Sequence, residues 1–214
     1  MNYVYEDVSA LGVLLGMLPA LTLPALFGMV SYVLSSWARY TLANRRGIHN
    51  PWLAWVPVAQ NWVTGSLSDQ YRYVALGQNR SKRKSLLTLG VITSLAGVIE
   101  VVMLVSMFVK VFVGALGGYS EEYLVQSMLG TVMGMMGLAL VLAAVSIAYA
   151  IIYYMALYDI YKSMEPGNCV LFLVLSIIFR VTEPFFLFFN RNKDLGMPPR
   201  REQPVYTAQE TWQP

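Results

Sequence analysis

Apolar residues run in long stretches along this chain, without the stripe of a soluble amphipathic helix or the alternation of a half-buried strand. Residues 8–37, 86–116, 124–158 and 169–189 each meet the length a helix needs to cross a bilayer, about 20 mostly apolar residues. A shorter piece, residues 52–67, is interrupted by Pro57, Gln60, Asn61 and Gly65, and predicts a re-entrant or interfacial segment. Pro19 and Pro24 fall inside the first stretch, where each removes a backbone donor and predicts a kink. Glu6 and Asp7 precede it where a cleavable leader would be basic, so it reads as a membrane helix.

Composition agrees with the pattern. The chain is 57% hydrophobic and 13% charged, with mean hydropathy +0.52, too few polar groups to cover a water-soluble surface. Its single cysteine (Cys169) and single histidine (His49) exclude a disulfide framework and a His-based metal site. The expected fold class is all-α: a polytopic helical membrane domain over residues 1–190, with about four membrane helices and one short re-entrant or interfacial segment. A polar, Pro-rich cytoplasmic tail over residues 191–214 is expected to be disordered.

Charge sets the orientation, because Lys and Arg stay on the cytoplasmic side. Arg39, Arg45, Arg46, Arg72, Arg80, Lys82, Arg83 and Lys84 lie between the first two long stretches, whereas the N-terminus and the loop at Glu121 and Glu122 are acidic. The N-terminus is therefore expected outside, and residues 52–67 enter and leave on the cytoplasmic side. Keeping the tail inside as well makes residues 169–189 a second hairpin, bent near Glu183 and Pro184. All 15 Lys and Arg residues except Lys110 and Arg180 are then cytoplasmic. Against this, residues 169–189 are long enough for a fourth crossing. The hairpin reading implies an internal echo, a crossing helix followed by a cytoplasmic hairpin, twice. Gly12-x-x-x-Gly16 and Gly130-x-x-x-Gly134 occur at matching places in the two halves.

Ionisable residues inside a membrane are costly and need partners. Glu100, Arg180 and Glu183 are expected to form an intramembrane cluster, read as a structural clamp between the second and fourth stretches in preference to a proton relay, because an arginine-paired carboxylate is a poor proton carrier. Lys110 is expected to snorkel to the outer interface. The first hairpin combines Trp52, Trp55 and Trp62 with Gln60, Asn61 and Asp69. It reads as a membrane anchor, or alternatively as a polar surface facing a substrate. Arg80, Lys82, Arg83 and Lys84 are expected to hold anionic lipid headgroups, not nucleic acid. Tyr149, Tyr153, Tyr154, Tyr158 and Tyr161 read as an aromatic belt at the inner interface. His49 is expected to hydrogen-bond within a turn.

No phosphate-binding loop, zincin, nucleophile-elbow or dinucleotide motif is present, so no enzyme and no cofactor is expected. The segment Gly47-Ile48-His49-Asn50-Pro51-Trp52-Leu53-Ala54-Trp55-Val56-Pro57, continuing to Gly65-Ser66-Leu67-Ser68-Asp69-Gln70-Tyr71, resembles an uncharacterised family of bacterial integral membrane proteins. Thr182-Glu183-Pro184-Phe185-Phe186-Leu187 and Gly196-Met197-Pro198-Pro199-Arg200 resemble the same family. The resemblance implies a bacterial cytoplasmic membrane and carries no activity. The expected function is a non-enzymatic structural or accessory membrane component, partnered by lipid and by a second copy or another membrane protein; the alternative is a small oligomeric transporter or channel subunit built on the broken segments.

Overall fold

The computed structural model describes residues 3–199, and of residues 3–11, 13–21, 115 and 121 it describes the backbone only. Among the described residues the chain is wholly helical. The order is α1 (Tyr3–Arg45), a 3-10 helix (Pro51–Trp55), α2 (Gln60–Leu76), α3 (Lys82–Ala115), α4 (Glu121–Met164), α5 (Cys169–Ile178) and α6 (Thr182–Asn190).

The first hairpin can be followed through its hydrogen bonds. Gly47 closes α1 at φ 68°, letting the Ile48 N–H return to the Ala43 carbonyl at 2.9 Å. Pro51 opens the 3-10 helix, and the chain climbs back along α1 until the Tyr32 hydroxyl donates to the Trp55 carbonyl at 2.5 Å. Gln60, at the head of α2, donates to Ser36 at 3.3 Å, and Gln70 donates to the Arg46 carbonyl at 2.9 Å. Helix α2 therefore descends to the level at which the loop began, about 20 Å from Tyr32 at 1.5 Å per residue.

Residues 169–189 do the same, and they are not one helix. Helix α5 has 10 residues and α6 has 9, so each is about 15 Å long or less, half a bilayer core. Pro184, in the first turn of α6, cannot donate to a preceding carbonyl, which favours a fresh helix start over a continuous one. After α6 the chain returns to the end of α4, where the Leu195 and Gly196 N–H groups donate to the Met164 and Ser163 carbonyls at 3.1 and 3.0 Å. Each long helix thus packs on the rising arm of its own hairpin and on the falling arm of the other: α1 on the 3-10 helix and α6, α4 on α5 and α2. Gly12 and Gly130 face open space and Gly134 lies against the Met103 side chain of α3, whereas the tightest backbone approach between two helices is where Gly65 of α2 meets the backbone of Arg83 on α3.

Burial runs opposite to hydropathy. Thr64, Ser66, Ser68, Asp69 and Gln70 of α2 are all buried. In α3 and α4 the most apolar windows are only 6% and 0% buried, and these two helices are long and apolar enough to cross a membrane. Two such helices stand where about four were expected. The fourth stretch is broken, and in the first, residues 8–37, the side chains of 8–11 and 13–21 lie outside the described ones. Two further expectations change. Helix α4 continues past residue 158 to Met164, carrying Asp159 into the interior in place of a loop. Residues 191–199 are ordered, because Asp194 pairs with Arg45 and Arg46 at 2.7 Å each; residues 200–214 lie outside the described residues.

Candidate functional site

Two polar clusters hold the end of the molecule where the helices converge. In the lower one, the Asp159 carboxylate accepts from the Ser68 hydroxyl at 2.6 Å and from Arg72 and Lys82 at 2.7 Å each. Beside it, Asp69 accepts the backbone N–H groups of Lys82 and Arg83 at 2.9 and 3.1 Å. Ser81 makes no side-chain cap for α3, so Asp69 serves as one from a neighbouring helix and places its charge at the positive helix end. Burial pushes the Asp69 carboxyl above its ordinary range, against the opposing pull of those two N–H donors.

The upper cluster centres on Arg39 and Glu183, paired at 2.6 Å with side chains 3% and 8% exposed. Tyr153 donates to the same Glu183 oxygen and accepts from Arg39 at 2.7 Å, and Arg39 also donates to Ser35. Alongside, Tyr149 donates to Asn61 at 2.8 Å. Three helices, α1, α4 and α6, are thus tied by one guanidinium and one carboxylate.

The expected Glu100, Arg180 and Glu183 cluster does not form. Glu183 faces Arg39, because the turn before α6 brings it against α1. Arg180 is exposed on that turn, and Glu100 lies apart, in a groove between α3 and α4 with Leu104, Met107, Met135 and Met136. Among the headgroup candidates, Lys82 is buried on Asp159, while Arg80 and Lys84 are exposed. Gln60, Asn61 and Asp69 serve three separate ends: Gln60 reaches Ser36, Asn61 meets Tyr149, and Asp69 caps α3. Of the aromatic belt, Tyr161 is fully buried and bonded to Ser176 at 2.8 Å, and Tyr149 and Tyr153 turn inward to polar partners. Lys110 donates across to Thr131 of α4 at 3.2 Å instead of snorkelling. His49 is exposed on its turn.

Comparison with protein families, with curated proteins and with solved structures finds no match to this chain. The site is therefore read from its own chemistry. Among the described residues no group of three or more His, Cys, Asp or Glu side chains is placed to hold a metal ion.

Sequence reasoning missed Arg39, which it counted with the cytoplasmic loop. The signal was present: Ser31, Ser35 and Arg39 recur at i, i+4 and i+8, a polar stripe on an otherwise apolar helix. That stripe lines a cavity of about 540 Å³ with Gln60, Tyr153, Glu183 and, at its edge, Phe27, Gly28, Arg180, Val181 and Pro184. A second cavity, about 570 Å³, lies at the base between Arg45, Arg46, Gln70, Asp194 and residues 197–199.

Proposed function

We propose that this chain is a non-enzymatic integral protein of a bacterial cytoplasmic membrane, with a structural or accessory role and its N-terminus outside. The observation that supports it is the exposure of the long apolar helices: the most apolar windows of α3 and α4 are 6% and 0% buried, while polar residues of α2 lie in the interior beside an apolar cluster. In water such an arrangement would expose a large apolar surface at about 25 cal/mol per Å²; in lipid it costs nothing, and polar contacts decide which helices associate. The basic clusters around Arg45, Arg46, Arg80 and Arg83 then lie at the cytoplasmic end, where both hairpins begin and finish.

Fractionation of cells expressing the full chain tests this reading. The account expects it in the membrane pellet after alkaline carbonate washing and solubilised only by detergent. Release by carbonate would defeat it.

A second reading, a subunit of a transporter or channel, has one observation in its favour. The tips of two broken segments, at Gln60 and at Arg180, meet at one polar cavity, as discontinuous helices do around transport sites. Solute flux in proteoliposomes separates the two: the accessory reading expects none above empty vesicles.

A further inference from the structure

The cavity between α1 and the α5–α6 turn has a chemistry that selects its occupant. Its charged lining residues are Arg39, Arg180 and Glu183, so it carries a surplus of one positive charge. Glu183 is already committed to Arg39 and Tyr153, and among the described residues no carboxylate pairs with Arg180. Arg39 is 3% exposed, and its terminal nitrogens are engaged by Ser35, Tyr153 and Glu183, yet its Nε–H has no hydrogen-bond partner. The Ser31 Oγ, one helical turn beyond Ser35 on the same face, is likewise buried and unpartnered. Two buried hydrogen-bonding groups left unmade at one cavity are costly unless something accepts from them.

The mouth is apolar. Phe27 and Val181 line it at 44% and 51% exposed, and it continues onto Leu23, Leu26 and Val30, all exposed on α1. An occupant must therefore offer several acceptor oxygens, one negative charge and a hydrocarbon chain. We propose that this cavity binds the phosphodiester headgroup of an anionic phospholipid, entering sideways from the bilayer. Its phosphate oxygens accept from Arg39 Nε, Ser31 and Arg180, and its chains lie along Phe27 and the exposed face of α1. This rests on the membrane reading above.

Gly28 supplies a clean test. A Cβ there meets nothing within 4 Å, so a Gly28→Leu side chain starts in open space at the cavity, and leucine is the better helix former. The full chain is reconstituted in nanodiscs of phosphatidylcholine with and without phosphatidylglycerol, then released and examined by native mass spectrometry. The wild type is expected to retain one phosphatidylglycerol per chain and no phosphatidylcholine, with no displacement by excess inorganic phosphate. Gly28→Leu and Arg180→Gln are each expected to lower retention about tenfold, the loss of one charge-assisted contact or of the space itself. Unchanged retention in both variants overturns the proposal. Loss in Gly28→Leu alone overturns the anionic part of it, and displacement by inorganic phosphate overturns the lipid. A chain that inserts in membranes yet gives any of these results defeats this inference and leaves the membrane reading standing; a chain washed off by carbonate defeats the membrane reading first.

Discussion

The two ends of α4 belong to different chemistries. From residue 122 to residue 155 none of its described side chains is buried, although the helix carries a window apolar enough to cross a membrane. From Ala156 to Met164 the same helix buries Ala156, Leu157, Asp159, Ile160, Tyr161, Ser163 and Met164, including an ionised carboxylate with three partners. Hydropathy alone would order these ends the other way. The difference teaches that the helices associate where an apolar cluster of Leu42, Leu67, Leu157, Ile160 and Tyr161 is joined by hydrogen bonds and ion pairs, and not where apolar length is greatest.

That contrast can be broken at either end. The largest effect is expected from Asp159→Ala, which strands Arg72 and Lys82 without their shared carboxylate. A loss of about 3–5 kcal/mol is the usual cost of leaving a buried charge unpaired, read as a fall in thermal midpoint in detergent. Glu183→Gln should cost about 3 kcal/mol by the same logic at Arg39, and the double variant with Arg39→Gln should cost less than the two single losses added. Gly65→Ala pushes a Cβ into the Arg83 backbone where α2 crosses α3, and should cost about 1–3 kcal/mol as an overpacked contact. Leu140→Ala, at a side chain 75% exposed on the apolar arm, should move stability by less than about 0.5 kcal/mol. A loss at Leu140 matching that at Asp159 would erase the contrast.

The smallest effect concerns pH. Hydrogen bonds from Lys193 and Asn168 hold the Glu165 carboxyl below its ordinary range. A carboxyl lowered on folding contributes its stability above its unfolded pKa and loses it as pH falls through the folded one. The segment after α6 should therefore become more open to protease as the pH is taken down through the carboxylate range, and Glu165→Gln should weaken that dependence, with the Asp194 pairs left in place.

Much of this plan was legible in the sequence, and the failures have physical causes. The basic residues flanking residues 52–67 predicted a return there and left residues 169–189 between a hairpin and a fourth crossing; the bonds at Gln70, Leu195 and Gly196 bring the chain back in both places. The partner of Glu183 was not legible, because Arg180 is three residues away in sequence while Arg39 is brought near only by the packing of α6 on α1. Asp159 falls just beyond the apolar stretch 124–158; its three partners come from α2 and α3 and leave no local trace. Lys82 was assigned to lipid headgroups for the same reason, since nothing near it in sequence announces Asp159. The tail looked disordered from its prolines, yet Asp194 pairs with Arg45 and Arg46, Lys193 pairs with Glu165, and Leu195 and Gly196 bond to the end of α4.

The account turns on where the close-packed polar end sits relative to the apolar arms, and labelling from the two sides of an intact membrane measures that directly. In a Cys169→Ser background, single cysteines are placed at His49, Arg80 and Asn192, all exposed at the polar end, and at Tyr119, exposed between α3 and α4. The account predicts that a membrane-impermeant thiol reagent reaches Tyr119→Cys from outside, and reaches the other three only from the cytoplasmic side. Labelling of Arg80→Cys and Tyr119→Cys from the same face, or of His49→Cys and Arg80→Cys from opposite faces, would contradict it.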